Sequence, residues 1–115
     1  MLSKTNRLKK KKDFGRVFKK GRGFKEDFLY LKIVKNGLEA SRFAFIVSKD
    51  FSKKAVLRNK LKRSLSELTR LKLSEIEKGI DGVIVVLPGF KIMDFWELEK
   101  IIQKLFKKAK IIENG

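Results

Sequence analysis

Between positions 53 and 63 the chain carries six cations, Lys53, Lys54, Arg58, Lys60, Lys62 and Arg63, with the amide of Asn59 in their midst. Ammonium and guanidinium groups neutralise and hydrogen-bond phosphate, and arginine's planar fork does so bidentately. The chemistry this cluster offers is polyanion binding. Bond-breaking chemistry finds little support elsewhere, because the 115 residues include no histidine and no cysteine. That composition removes the commonest general base, the thiolate nucleophile and the usual transition-metal ligands. Gly15, Gly21 and Gly23 lack the spacing of a phosphate-cradling loop. The carboxylates are scattered beside lysines rather than gathered as a two-metal cluster. Catalysis by this polypeptide alone is not expected, and neither is a metal or cofactor of its own.

A helix over 52–67 must present these groups. Leu57, Leu61, Leu65 and Leu68 recur at spacings of four, four and three, the pattern of one helix face turned to a core. At about 100° per residue the leucines span roughly 80°, and Arg58, Lys62, Asn59 and Arg63 follow from about 100° to 240°, with Lys60 near 300°. Ser52 is placed to cap the helix by accepting from first-turn N–H groups. A solvated helix face normally mixes signs, because like charges three or four apart repel by about 0.2–0.5 kcal/mol. No acid lies between Asp50 and Glu67, so this face is built for an external polyanion.

The net charge is +17, and it is unevenly distributed. Residues 1–25 hold 11 basic and 1 acidic side chain and residues 49–63 hold 7 and 1, whereas the remainder is nearly balanced. Uniform basicity could serve solubility, but two concentrated basic blocks imply a polyanion surface. The length and a hydrophobic content of 43% allow one globular domain with a real core. Positions 1–12, with Lys4, Arg7, Lys9, Lys10, Lys11 and Lys12, lack periodicity and read as a flexible basic arm, leaving 13–112 as a single RNA-binding domain. No apolar run approaches a membrane span, and the basic N-terminus is not followed by the apolar stretch of a signal peptide. The absence of cysteine fits a reducing cytoplasm. The expected setting is cytoplasmic, with no membrane partner and a monomeric free protein.

Along the chain, 13–20 puts Phe14, Val17 and Phe18 at i, i+3 and i+4 of a short helix capped by Asp13 and ended by Gly21 and Gly23. The two phenylalanines serve either the core or a stacking platform in a cationic groove, where a base on an aromatic face is worth about 1–3 kcal/mol. Positions 24–35 alternate as one strand, and Asn36-Gly37 is the best hairpin signal. The return strand, about 39–48, puts Phe43, Phe45 and Val47 on one face and Arg42, Ala44, Ile46 and Ser48 on the other. Both faces are apolar, so the sheet is expected to be covered on both sides, at least in part. The first helix over one face leaves a groove with Ser48, Lys49, Lys53 and Lys54 at its mouth. After a polar stretch at 71–78, positions 83–87 form a buried strand broken by Pro88-Gly89. Asp94 and Glu97 start a last helix as a capping box, with a core stripe of Phe95, Leu98, Ile101, Ile102, Leu105, Phe106 and Ala109. The reading is an α/β two-layer arrangement.

The run KAVLRNKLKR at 54–63 resembles the signature of the bacterial ribonuclease P protein component, K-A-V-x-R-N-R-x-K-R-x-x-R-E. NRLKKKKDFGRVFKKG at 6–21 resembles that family's first helix, and RFAFIVSK at 42–49 resembles the strand before its signature. Lys60 stands where the family usually has its second arginine, which keeps the charge without the bidentate fork. Ser66 replaces a later arginine, and the strand end at Val86, Leu87 and Pro88 lacks an arginine often found there.

The resemblance implies an αβββαβα sandwich with a central, mainly antiparallel sheet and a left-handed βαβ crossover through the signature helix, against the right-handed rule. It implies a protein subunit that binds the catalytic ribonuclease P RNA through Lys54, Arg58, Asn59, Lys60, Lys62 and Arg63. A groove between first helix and sheet, with Phe14, Phe18, Tyr30, Ser48, Lys49 and Lys53, would hold the single-stranded 5′ leader of precursor tRNA. The RNA and its magnesium ions would carry out the hydrolysis. A ribosomal protein or general RNA chaperone explains charge and size equally well, but not the signature spacing.

Overall fold

The computed structural model describes residues 2–48, 53–89 and 94–112. After a single 3-10 turn at Lys4–Asn6, the order is α1 (Lys11–Lys20), β1 (Arg22–Glu26), β2 (Leu29–Lys35), β3 (Arg42–Val47), α2 (Ala55–Lys72), β4 (Ile80–Val86) and α3 (Phe95–Lys108). This is the expected αβββαβα succession. The strands form one sheet in the order β1-β2-β4-β3, with β1/β2 and β2/β4 antiparallel and β3/β4 parallel. Adjacent parallel strands need a crossover, and α2 supplies it between β3 and β4.

Side-chain alternation sends two apolar sets to opposite faces. On one face Leu29, Leu31, Phe43, Val47, Ile84 and Val86 meet Leu65 and Leu68 of α2 and Leu98, Ile102, Leu105 and Phe106 of α3 in the main core. The Phe43 and Phe106 rings stack at a tilt, with centroids 6.1 Å apart. Gly82 makes room for this, since a β-carbon there would come within 2.7 Å of the Phe43 ring. On the other face Leu8, Val17 and Val83 form a smaller cluster, flanked by Phe14, Val34, Ala44, Ile46 and Val85. The sandwich is therefore two layers over most of its area, and α1 adds a partial third.

Three local expectations are corrected. Positions 24–35 are two strands rather than one, turning at Asp27, which adopts φ 56°; aspartate tolerates that left-handed conformation. Asn36-Gly37 is not a tight hairpin between neighbours, because β4 lies between β2 and β3. β4 is apolar on both faces, so the centre of the sheet is where it is best buried. The Asn36 amide instead organises the turn, accepting from the Leu38 N–H at 2.7 Å and donating to Ala40 and Asp81. Asp13 is not a cap: α1 begins at Lys11 with Lys10 at the N-cap, and the Asp13 carboxylate pairs with arginines. The N-cap of α2 falls on Lys54, and Ser52 lies outside the described residues. At α3 the capping box is present as expected, with the Asp94 carboxylate accepting from the Glu97 N–H at 2.8 Å.

The expected flexible arm over 1–12 is tied to the body along much of its described length. Leu2 and Leu8 are buried, and Arg7 bridges to Phe43 at the β3 edge, where the Leu8 N–H donates to the Phe43 carbonyl at 3.0 Å. The Asn6 amide donates to the Ser41 carbonyl at 2.8 Å and the Leu2 N–H to Ser66 Oγ at 3.2 Å, so two apolar residues and a few hydrogen bonds dock a basic segment.

Candidate nucleic-acid interface

The leucine stripe places α2. Leu65 and Leu68 are buried in the main core, Leu61 packs half-buried against it and Leu57 is half-buried, which turns Asn59, Lys60, Lys62 and Arg63 to solvent and leaves Arg58 half-buried. Lys53 and Lys54 are exposed just before the helix. The first turn of α2 contains no acid and its N-cap makes no side-chain cap bond, so the positive end of the helix dipole adds to the cations. The next carboxylate, Glu67, is engaged by Arg70 one turn on, and that hydrogen bond foremost holds the Glu67 carboxyl at about 2. Among the described residues, Lys60, Lys62 and Arg63 have no carboxylate partner.

On the opposite face, α1 crosses the sheet with two unlike flanks. Val17, buried, rests on the sheet beside Val83. At about 100° per residue, Asp13 and Arg16 stand to one side of Val17, and Phe14 and Phe18 to the other. The first flank meets a buried acid. Asp81 is fully buried and accepts from Arg16 Nη2 at 2.6 Å, Arg42 Nε at 2.8 Å, Arg42 Nη2 at 2.7 Å and Asn36 Nδ2 at 2.8 Å. Asp13 completes a quartet, 3.5 Å from Arg16 and 3.4 Å from Arg42. Burial pushes the Asp81 carboxyl up. The bonds from Arg42, Asn36 and Arg16, with the Arg42 charge, outweigh that and leave it below the ordinary aspartate value.

The aromatic flank borders an uncovered part of the sheet. Register sets Tyr30 opposite Val85 and Val85 beside Ile46, and all three are half-buried. Phe14 is half-buried and Phe18 exposed. Tyr30 leans across β1, where a β-carbon on Gly23 would collide with its hydroxyl. Lys32 Nζ donates to the Phe18 carbonyl at 2.7 Å, so Phe18 lies toward the β2 side and Phe14 toward β3. Ser48, half-buried, follows β3 directly. Lys49, assigned to the same groove, lies outside the described residues.

A cavity of about 460 Å³ joins the two faces around the β3 edge. It is lined by Arg7 and Lys9, by Phe14, by Phe43, Ala44 and Phe45 of β3, and by Lys62 and Arg63 of α2. Residues assigned to the arm, to the groove and to the signature helix thus share one surface. Lys4, Lys9 and Lys10 are exposed along the N-terminal segment, while Lys11 and Lys12 belong to the first turn of α1. Sequence reasoning missed the Asp81 quartet. The signal was there, since Asp81 is the single acid in an apolar strand, and a buried charge requires partners. Among the described residues, no group of three or more histidine, cysteine, aspartate or glutamate side chains is placed to hold a metal ion, and no helix is long and apolar enough to cross a membrane.

Comparison with known proteins agrees with this geometry. The family profile described as Ribonuclease P matches residues 2–110. The ribonuclease P protein component of Caldanaerobacter subterraneus is 36% identical over 113 residues, covering 98% of this chain and 97% of its own length. That of Thermotoga maritima is 35% identical, covering 93% and 94%. Among solved structures, the RNase P protein from Thermotoga maritima superposes with a TM-score of 0.80 at 33% identity, covering 95% of this chain and 99% of that one. A Staphylococcus aureus RNase P protein mutant with defective mRNA degradation activity gives 0.87 at 29% identity, covering 95% and 92%. With profile, full-length relatives and fold in agreement, the chain belongs to the ribonuclease P protein component family and is a subunit of the endoribonuclease that matures the 5′ ends of tRNA.

Proposed function

We propose that the cationic row of α2 and the N-terminal segment hold the ribonuclease P RNA, and that the groove beside the aromatic flank of α1 takes the single-stranded 5′ leader of precursor tRNA. The RNA, with its magnesium ions, breaks the phosphodiester bond. The observation that carries this reading is the shared surface at the β3 edge. There Phe14 of the groove and Lys62 and Arg63 of the signature helix line one cavity, so a strand leaving the catalytic RNA's surface can pass directly onto the aromatic flank. Stacking on Phe14, Phe18 and Tyr30 is tolerant of base identity, and lysine contacts to phosphate carry no sequence information. Both properties suit a protein that handles many leaders. Two RNAs repel each other, and a +17 protein between them lowers that cost and with it the magnesium required.

The test is cleavage of precursor tRNA at low magnesium by the RNA alone, the protein alone and the two together. Cleavage that is far faster with both supports the reading. No enhancement from folded protein overturns it, and cleavage by the protein alone overturns the assignment of the chemistry to RNA.

A further inference from the structure

We infer that Asp81 is a positioning residue for leader binding: through Arg16 and Arg42 it fixes the roll of α1 and so aims Phe14 and Phe18 at the groove. This rests on the groove reading proposed above. Of the ten residues of α1, only Val17 and Asp13 are buried; Phe14 packs half-buried against the same cluster as Val17, and Lys32 Nζ donates to the Phe18 carbonyl. So narrow an apolar seat leaves the roll of the helix weakly determined by packing alone. The charged flank removes this freedom. Arg16 reaches down from α1 to Asp81 at 2.6 Å, while Arg42 reaches up from β3 to Asp13 at 3.4 Å. The two contacts cross between helix and sheet one helical turn apart.

The quartet holds two arginines and two aspartates, so it adds no net charge to the surface that meets RNA. It is also directional. Asp81 sits on the sheet opposite Val34 and beside Arg42, and all the quartet's charges lie on the same side of Val17. Asn36 and Arg42 Nε both donate to Asp81 Oδ1 at 2.8 Å, the oxygen Arg16 does not use, so the anchor cannot swing with the helix. Arg16 Nε is buried without a partner among the described residues, which leaves Nη2 as the atom through which Arg16 holds the helix. Releasing that atom lets α1 roll, and any roll carries Phe14 and Phe18 together because both sit on the opposite flank.

Asp81→Asn, wholly buried, risks unfolding the protein, so the test uses Arg16→Gln in the full chain, with Arg16→Lys as the conservative partner and Glu67→Gln as a distant ion-pair control. The first readout is ¹⁹F NMR of free protein carrying 4-fluorophenylalanine at Phe18 only. The expected result is a moved or narrowed resonance in Arg16→Gln, partial return in Arg16→Lys, and no change in Glu67→Gln. The second is binding, by the holoenzyme, of precursor tRNA with its leader and of the same tRNA without it. Arg16→Gln should weaken only the leader-bearing substrate, by about five- to tenfold, roughly the loss of one stacked base, with unchanged affinity for the ribonuclease P RNA. An unmoved fluorine resonance overturns the inference, and if leader affinity falls all the same, Arg16 contacts the leader itself. A moved resonance with leader affinity intact upholds the positioning of the helix and overturns the groove reading instead.

Discussion

At the scale of single residues, two kinds of charge divide the molecule. Lys62 and Arg63 are exposed on α2 without carboxylate partners among the described residues, whereas Arg16, Arg42, Asp13 and Asp81 are paired with one another. Their substitutions should differ accordingly. Lys62→Ala with Arg63→Ala should leave stability unchanged and weaken binding of ribonuclease P RNA by about 30-fold at 0.15 M salt, roughly fivefold per released counterion. Filter binding over a range of salt checks this, since the double variant should also lose about two from the slope of log affinity against log salt. Asp81→Asn should cost about 3 kcal/mol, the scale for removing one partner of a buried ion pair, read from urea unfolding. The sign of the pH dependence follows from the lowered Asp81 pKa. The quartet's contribution is complete above the unfolded aspartate value of about 3.9. It is lost as pH falls toward and through the lower folded value, so acid should destabilise the wild type more steeply than Asp81→Asn.

At the scale of elements, local chemistry accounts for the helices better than for the strands. The stripe at Leu57, Leu61, Leu65 and Leu68 and the box at Asp94 and Glu97 act within one or two turns, and both appear where the residues put them. Asp94→Ala should cost about 1 kcal/mol of stability, the scale of a lost N-cap, and leave RNA affinity unchanged, a pairing that calorimetry and filter binding together can check. The strands were harder to read. The turn at Asp27 carries no Gly-containing hairpin pair, so alternation runs across it unbroken. The Asn36-Gly37 signal was sound as a turn and misleading as a hairpin, because the partner of β2 lies more than forty positions away in β4. Gly23 shows the same limit, for its missing side chain matters only once Tyr30 lies over it. Gly23→Val should displace Tyr30 and weaken leader binding, with Tyr30 fluorescence and near-UV circular dichroism as readouts.

At the scale of the whole molecule, the net charge of +17 makes salt the dominant variable. If about six phosphates are neutralised, affinity for RNA should fall on the order of 10³-fold between 50 and 200 mM salt, and a titration that stays flat over this range would contradict the electrostatic account. The sequence by itself determined the class of partner, the cationic face of α2, the α/β architecture and the absence of the usual side-chain catalysts, because charge, helical period and residue type are local and additive. Only the tertiary structure decided that β4 lies between β2 and β3, that the N-terminal segment docks through Leu2 and Leu8, and that Phe14 shares a cavity with Lys62 and Arg63. It alone brought Asp81 to Arg16, 65 residues away. Each of these depends on which apolar surfaces bury each other and which buried charges find partners, and no local pattern in the chain contains that information.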